Sequence, residues 1–181
     1  MKENQLNLAK PFLAQAQRTL KTVYLPRIAR CLHLLSREQI WWRPNLSSNS
    51  VGNLVLHLNG NVRQWIIAGL GGASDTRQRD REFQESGPIA RRALLSRLSG
   101  TVDDACRVLA RLSSQDLGRR HSIQGFQLTG LEAVCHVMEH FSHHAGQIIV
   151  LTKLLRGKDL GFTRLPGEKR GSKMPRSLPP V

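Results

Sequence analysis

His136-Val137-Met138-Glu139-His140-Phe141-Ser142-His143-His144-Ala145-Gly146-Gln147 places four of the chain's seven histidines within nine residues. Thr129-Gly130-Leu131-Glu132 upstream reads as a capping box, and Gly157 after Arg156 reads as a stop, so the stretch belongs to one long helix. Residues four apart on a helix share a face, about 5–6 Å apart at Cβ. His136/His140 and His140/His144 both have that spacing. The apolar positions Val137, Phe141, Ile148, Leu151 and Leu155 define the inward stripe. His144 falls in that stripe, His140 beside it, and His136 and His143 further towards water. His140 and His144 are therefore the expected inward pair. Spacing alone leaves two readings open: ligands of one metal ion, or core histidines satisfied by hydrogen bonds.

Working outward, a second helix is expected from about Val51 to Leu70, opened by N-cap chemistry in Ser47-Ser48-Asn49-Ser50. His57 lies among its apolar residues Leu54, Leu58, Val62 and Trp65, where an imidazole needs a partner. It is the natural third ligand. Three histidine nitrogens would leave one coordination position open, as in catalytic rather than structural sites. Asn53, Asn61 and Gln147 are candidates to orient the imidazoles, and equally plausible as plain surface amides.

A first amphipathic helix is expected from about Asn4 to Ser36, kinked or divided at Pro26, with His33 on its rim. Trp41-Trp42-Arg43-Pro44 reads as an extended connector covering one end of the molecule. Gly69 to Ala73 ends the second helix, and the charged connection Ser74 to Gly87 follows. A third helix is expected from Gly87-Pro88, with Pro at its first position, to about Leu112. Ser113 to Leu128 reads as an irregular hairpin with His121 exposed. Four long helices, long connections and no convincing strand predict an all-α four-helix bundle with crossover loops, one domain over residues 1–163. Residues 164–181, rich in Pro, Gly, Lys and Arg, are expected to be a disordered tail.

The balance of 27 Lys+Arg against 13 Asp+Glu gives a formal charge of +14, which favours anionic partners. The excess is dispersed and Arg-rich, with no long basic run, so it gives little support to a dedicated nucleic-acid surface. Cys31, Cys106 and Cys135 are scattered, as expected for free thiols in a cytoplasmic protein. No signal peptide and no apolar run of transmembrane length are apparent.

The sequence resembles the DinB-like superfamily of proposed metalloenzymes, within a bacterial damage-inducible-protein-like branch. The carrying stretches are Trp41-Trp42-Arg43-Pro44, Asn49 to Asn61, Arg79-Asp80-Arg81-Glu82-Phe83 and His136 to Lys153. The resemblance covers about residues 8–162 and implies a four-helix bundle, often a homodimer, with a divalent transition metal, zinc or nickel first. On this sequence the implied ligands fall on His57, His140 and His144.

Two functional readings follow. One is a metal-dependent transferase or hydrolase acting on a small molecule; relatives that use low-molecular-weight thiols make such a thiol the first candidate. The other is a non-catalytic binding or stress-related protein that contacts nucleic acid or other anions. His136-Val137-Met138-Glu139-His140 also matches a metallopeptidase motif, but only Asp159 and Glu168 follow as carboxylates, so that reading is disfavoured. Glu139 is the one carboxylate inside the histidine cluster as the sequence reads.

Overall fold

Helix α1 (Ala9–Arg18) buries Leu13 and Ala16, passes into a π-helical segment, π1 (Thr19–Tyr24), and continues as α2 (Leu25–Leu34). This computed structural model describes residues 8–162, so the expected disorder of 164–181 lies outside the described residues. The rod is not divided at Pro26. A proline has no N–H for the carbonyl four residues earlier, and the helix widens just upstream, with Leu25 N–H donating to Leu20 O. At the far end, Arg91 Nη1 donates to the carbonyls of Leu32 (3.2 Å) and His33 (3.0 Å), which a helix terminus leaves unpaired.

The connector expected to be extended contains a one-turn helix, α3 (Arg37–Trp41), held by a Ser36/Gln39 capping box. The chain becomes extended only at Trp42. The Trp41 indole is wedged between two glycines: a Cβ at Gly52 or at Gly87 would come within 2.8 Å of its ring. The tryptophan packs over the first turn of α4, and both glycines are needed to admit it.

Helix α4 (Val51–Val62) starts at a Ser50/Asn53 capping box and runs into a second π segment, π2 (Arg63–Ala68). The charged connection folds into α5 (Arg79–Gln84). Helix α6 (Arg91–Leu109) begins three residues later than expected, because Gly87-Pro88 is a cis peptide that precedes the helix rather than opening it. After α7 (Ser114–Gly118) come β1 (Arg120–Ile123) and β2 (Phe126–Thr129), paired antiparallel with Arg120 opposite Thr129 and Ile123 opposite Phe126. This hairpin is regular: its two turn residues, Gln124 and Gly125, both have positive φ (53° and 84°), matching the twist of the strands. Thr129 and Glu132 form the expected capping box of α8 (Gly130–Arg156), which stops at Gly157 with φ 59°.

The architecture is all-α, with that hairpin as its one small sheet among the described residues. Helix α8 packs against α2 and α4, and α6 against α4. Phe141, Leu54, Leu58, Leu98, Ile28 and Ile148 are among the fully buried core side chains. No helix of the described residues is long and apolar enough to cross a membrane.

Asn53, fully buried, ties two parts of this frame together. Its Oδ1 accepts from Ser50 N (3.2 Å), Ser50 Oγ (2.6 Å) and Arg43 Nη2 (2.9 Å). Its Nδ2 donates to the carbonyls of Glu82 (2.9 Å) and Glu85 (2.7 Å). Arg43 also reaches Phe83 O at 2.7 Å. Truncation leaves several buried groups unpaired, so Asn53→Ala is expected to cost about 2–4 kcal/mol in urea denaturation, against about 1 kcal/mol for the helix-cap change Ser50→Ala.

Candidate metal centre

His57 projects from the middle of α4, and His140 and His144 from successive turns of α8. Their imidazoles meet between the two helices. Ring centroids are 4.8 Å (His57–His140), 4.9 Å (His57–His144) and 4.4 Å (His140–His144) apart. One nitrogen from each lies within 4.8 Å of the others. His57 Nε2 and His140 Nε2 are 3.0 Å apart. Metal–nitrogen bonds of about 2.0–2.1 Å at tetrahedral angles hold two ligand nitrogens about 3.4 Å apart. The donor types and their spacing therefore fit a divalent transition ion.

Each outer imidazole is fixed from behind. Glu82 Oε2 accepts from His57 Nδ1 at 2.8 Å, and Arg77 grips the same carboxylate with Nε on Oε1 and Nη2 on Oε2, both at 2.8 Å. Arg77 Nη2 also lies 3.1 Å from His57 Nδ1, but both are N–H groups, so the carboxylate sets the tautomer. His57 thus keeps its proton on Nδ1 and turns the Nε2 lone pair inward. The Arg77, Glu82 and His57 side chains are only 4%, 10% and 7% exposed, so the pair acts in a low-dielectric setting. Burial by itself would raise the Glu82 carboxyl; hydrogen bonds from Arg77 and His57, with their charges, outweigh it and hold Glu82 below its ordinary value. The carboxylate lies against the α4 backbone, where a Cβ on Gly60 would collide with it. Phe83 covers the His57 ring at 4.6 Å.

Gln147 does the same for His144: its Oε1 accepts from His144 Nδ1 at 2.7 Å while its Nε2 lies 3.2 Å from His143 Nε2. His140 Nδ1 is buried with no partner among the described residues, and its Nε2 faces the His57 Nε2 lone pair at 3.0 Å, so without metal His140 carries its proton on Nε2 and donates it to His57. Burial pushes His140 down to about 3, aided by the neighbouring His144, His57 and His136. Burial also lowers His144, partly offset by the Gln147 hydrogen bond. His140 and His144 are thus biased towards the neutral imidazole, the form that ligates metal.

The sequence matches, over residues 7–169, the family described as Protein of unknown function (DUF1572). The chain belongs to this family. Among solved structures, this DUF1572 chain is similar to a DinB-like protein from Bacillus cereus (TM-score 0.61, 15% identity, 81% of this chain and 92% of that one covered). It is also similar to a DinB-like protein from Bacillus subtilis (TM-score 0.59, 20% identity, 84% and 96% covered). A conserved protein from Enterococcus faecalis gives a TM-score of 0.65 at 16% identity, with 87% and 99% covered. These likenesses show that the fold is DinB-like. No curated protein matches the sequence.

Several expected placements change. The buried stripe of α8 runs Val137, Phe141, Ala145, Ile148 and Thr152, so His144 lies half-buried along its edge rather than within it, beside His140, which is at the edge as expected. His136 is not on the wet side: it is half-buried, stacks on Trp65 at 3.8 Å and lies 3.3 Å from Asn61 Nδ2. His143 and His33 are exposed, as expected, whereas His121 is half-buried. Asn53 holds the frame and Asn61 meets His136, so of the three amides only Gln147 backs one of the three convergent imidazoles. Glu139 is exposed, and the carboxylate at the cluster is Glu82. Glu82 and Arg77 escaped sequence reading because they sit 25 and 20 residues beyond His57 in a charged connection. The available signal was a buried imidazole that required an acceptor.

His140, His144 and His136 all have folded values below that of a free histidine. The unfolded chain therefore binds more protons below about pH 6.5, and stability is lost as pH falls from there towards the folded value of about 3 for His140. For metal-free protein, the urea midpoint is expected to fall steadily between about pH 7 and pH 4. A midpoint that is flat across this window would contradict the burial of these rings.

Proposed function

We propose that this protein binds a divalent transition metal, zinc or nickel, through His57, His140 and His144 and uses it in a transferase or hydrolase reaction on a small molecule. The observation that carries the reading is the convergence of three imidazoles, two of them oriented by partners on their far nitrogens. A carboxylate behind a ligating histidine fixes its tautomer and raises its basicity. Glu82 is placed for that role and Arg77 keeps it ionised. When bound, a metal with an open position lowers the pKa of a coordinated water or thiol, and low-molecular-weight thiols are the first substrates to assay. Phe83 and the Trp65–His136 stack flank the histidines and limit the approach of water. Three free thiols suit a reducing compartment, which supports a cytoplasmic location. A homodimer, implied by the family resemblance, would find an apolar strip in the exposed Val150 and Leu154, one turn apart on α8.

Metal content is measured by mass spectrometry on protein purified without a nickel column, beside a His57→Ala, His140→Ala, His144→Ala triple variant whose helicity is checked by circular dichroism. Near-stoichiometric metal in the parent and none in a helical variant is the expected result. No uptake by the parent, even with added zinc or nickel, would sink the proposal and favour the non-catalytic binding reading.

Glu82→Gln keeps an acceptor for His57 but removes the charge that Arg77 clamps. Metal affinity, read by competition with a chelator, is expected to fall about 10- to 100-fold. An unchanged affinity would leave Glu82 with a purely structural role.

A further inference from the structure

The cavity on which Glu82 and Arg77 open is lined by none of the histidines. It lies between α4, the connection that carries α5, and α6, and its volume of about 320 Å³ falls in the range of small-molecule sites. Leu56, Ile67 and Ile89 give it an apolar wall, and Arg63, Arg81 and Arg97 line it with exposed guanidiniums.

The charges there are not balanced in pairs. Each carboxylate of the cavity is engaged locally. Asp75 takes the Gln64 amide (2.8 Å) and the Arg77 N–H (3.0 Å), Glu82 is gripped by Arg77, and Glu85 accepts from Gly87 N–H (2.8 Å). The guanidinium groups of Arg63, Arg81 and Arg97, by contrast, have no ion pair or hydrogen bond to any described residue. Arg63 and Arg97 also line an adjoining cavity of about 400 Å³, where the acid, Asp104, is taken by Arg107. The arginines share these cavities with engaged acids, unlike the uniformly basic stripe that tracks a nucleic-acid backbone. An apolar wall beside unpaired guanidinium forks suits a compact ligand with one apolar and one anionic end.

We propose that this groove binds a small organic anion, with its apolar body on Leu56, Ile67 and Ile89 and its phosphate or carboxylate head on Arg63, Arg81 and Arg97. The site is distinct from the three-histidine cluster and does not depend on metal there. It shares only the Glu82–Arg77 pair as a wall.

The test is isothermal titration of the full chain with phenyl phosphate at low ionic strength, with and without prior chelator treatment. One-site binding at about 1 mM or tighter is expected in both preparations. An Arg63→Gln, Arg97→Gln double variant should weaken it at least about tenfold. An Arg37→Gln, Arg156→Gln double variant, which removes the same charge elsewhere on the surface, should leave it unchanged. Weaker binding of inorganic phosphate would support the apolar contact, and benzoate binding with the same variant pattern would show that carboxylate heads are also taken. No measurable phenyl phosphate binding, or equal weakening in both double variants, would overturn the site in favour of diffuse surface charge. Binding confined to duplex DNA would overturn it in favour of a polyanion surface.

Discussion

An imidazole buried in mid-helix must satisfy both of its nitrogens, and His57 imposes that demand on the rest of the structure. One nitrogen faces His140; the other needs an acceptor that α4 cannot supply. The acceptor arrives on a separate segment, as Glu82, and a buried carboxylate needs a cation in turn. Arg77, from the same connection, supplies it with two parallel hydrogen bonds. The carboxylate can approach α4 only because residue 60 is glycine. The connection stays in place because Asn53 and Arg43 hold its carbonyls and because Trp41 packs against Gly52 and Gly87. Residues that look unrelated in sequence thus act on one hydrogen bond.

Helix α8 serves core and site together by dividing its circumference. Val137, Phe141, Ala145 and Ile148 face the core, while His140 and His144 occupy the adjoining edge, where they reach α4 without being fully sealed from water. That position explains the electrostatics. The rings are buried enough to resist protonation, and Gln147 at the rim can still orient one of them. The π turn after α4 places Trp65 against His136, which adds an aromatic layer beside the cluster. Such π segments recur near functional sites.

Kinship with the DUF1572 family and with DinB-like structures establishes the frame but not the reaction, since one fold hosts many chemistries. The chemistry is argued from the donor set, three imidazole nitrogens with a charged pair behind one of them. The two cavities between α4 and α6 are a separate matter, because no histidine lines them and the guanidiniums of Arg63, Arg81 and Arg97 have no partner among the described residues.

The helical frame and the three convergent histidines were legible in the chain because both rest on local rules. Apolar spacing of three and four marks a helix, Thr129 with Glu132 caps one, and residues four apart must share a face. His57 stood out because a polar ring among Leu54, Leu58 and Val62 has no local partner. What took its far nitrogen did not follow from any local rule. Glu82 and Arg77 lie in a segment whose spacing resembles any solvated charge run, and only the packing of that segment onto Gly60 removes them from water. The unbroken helical passage through Pro26, the cis Gly87-Pro88 and the edge position of His144 likewise depend on contacts with distant elements. Sequence by itself determined which helices form and which histidines can meet; the tertiary structure decided which charges are buried beside them, because burial is a property of the partners a segment finds and not of the segment alone.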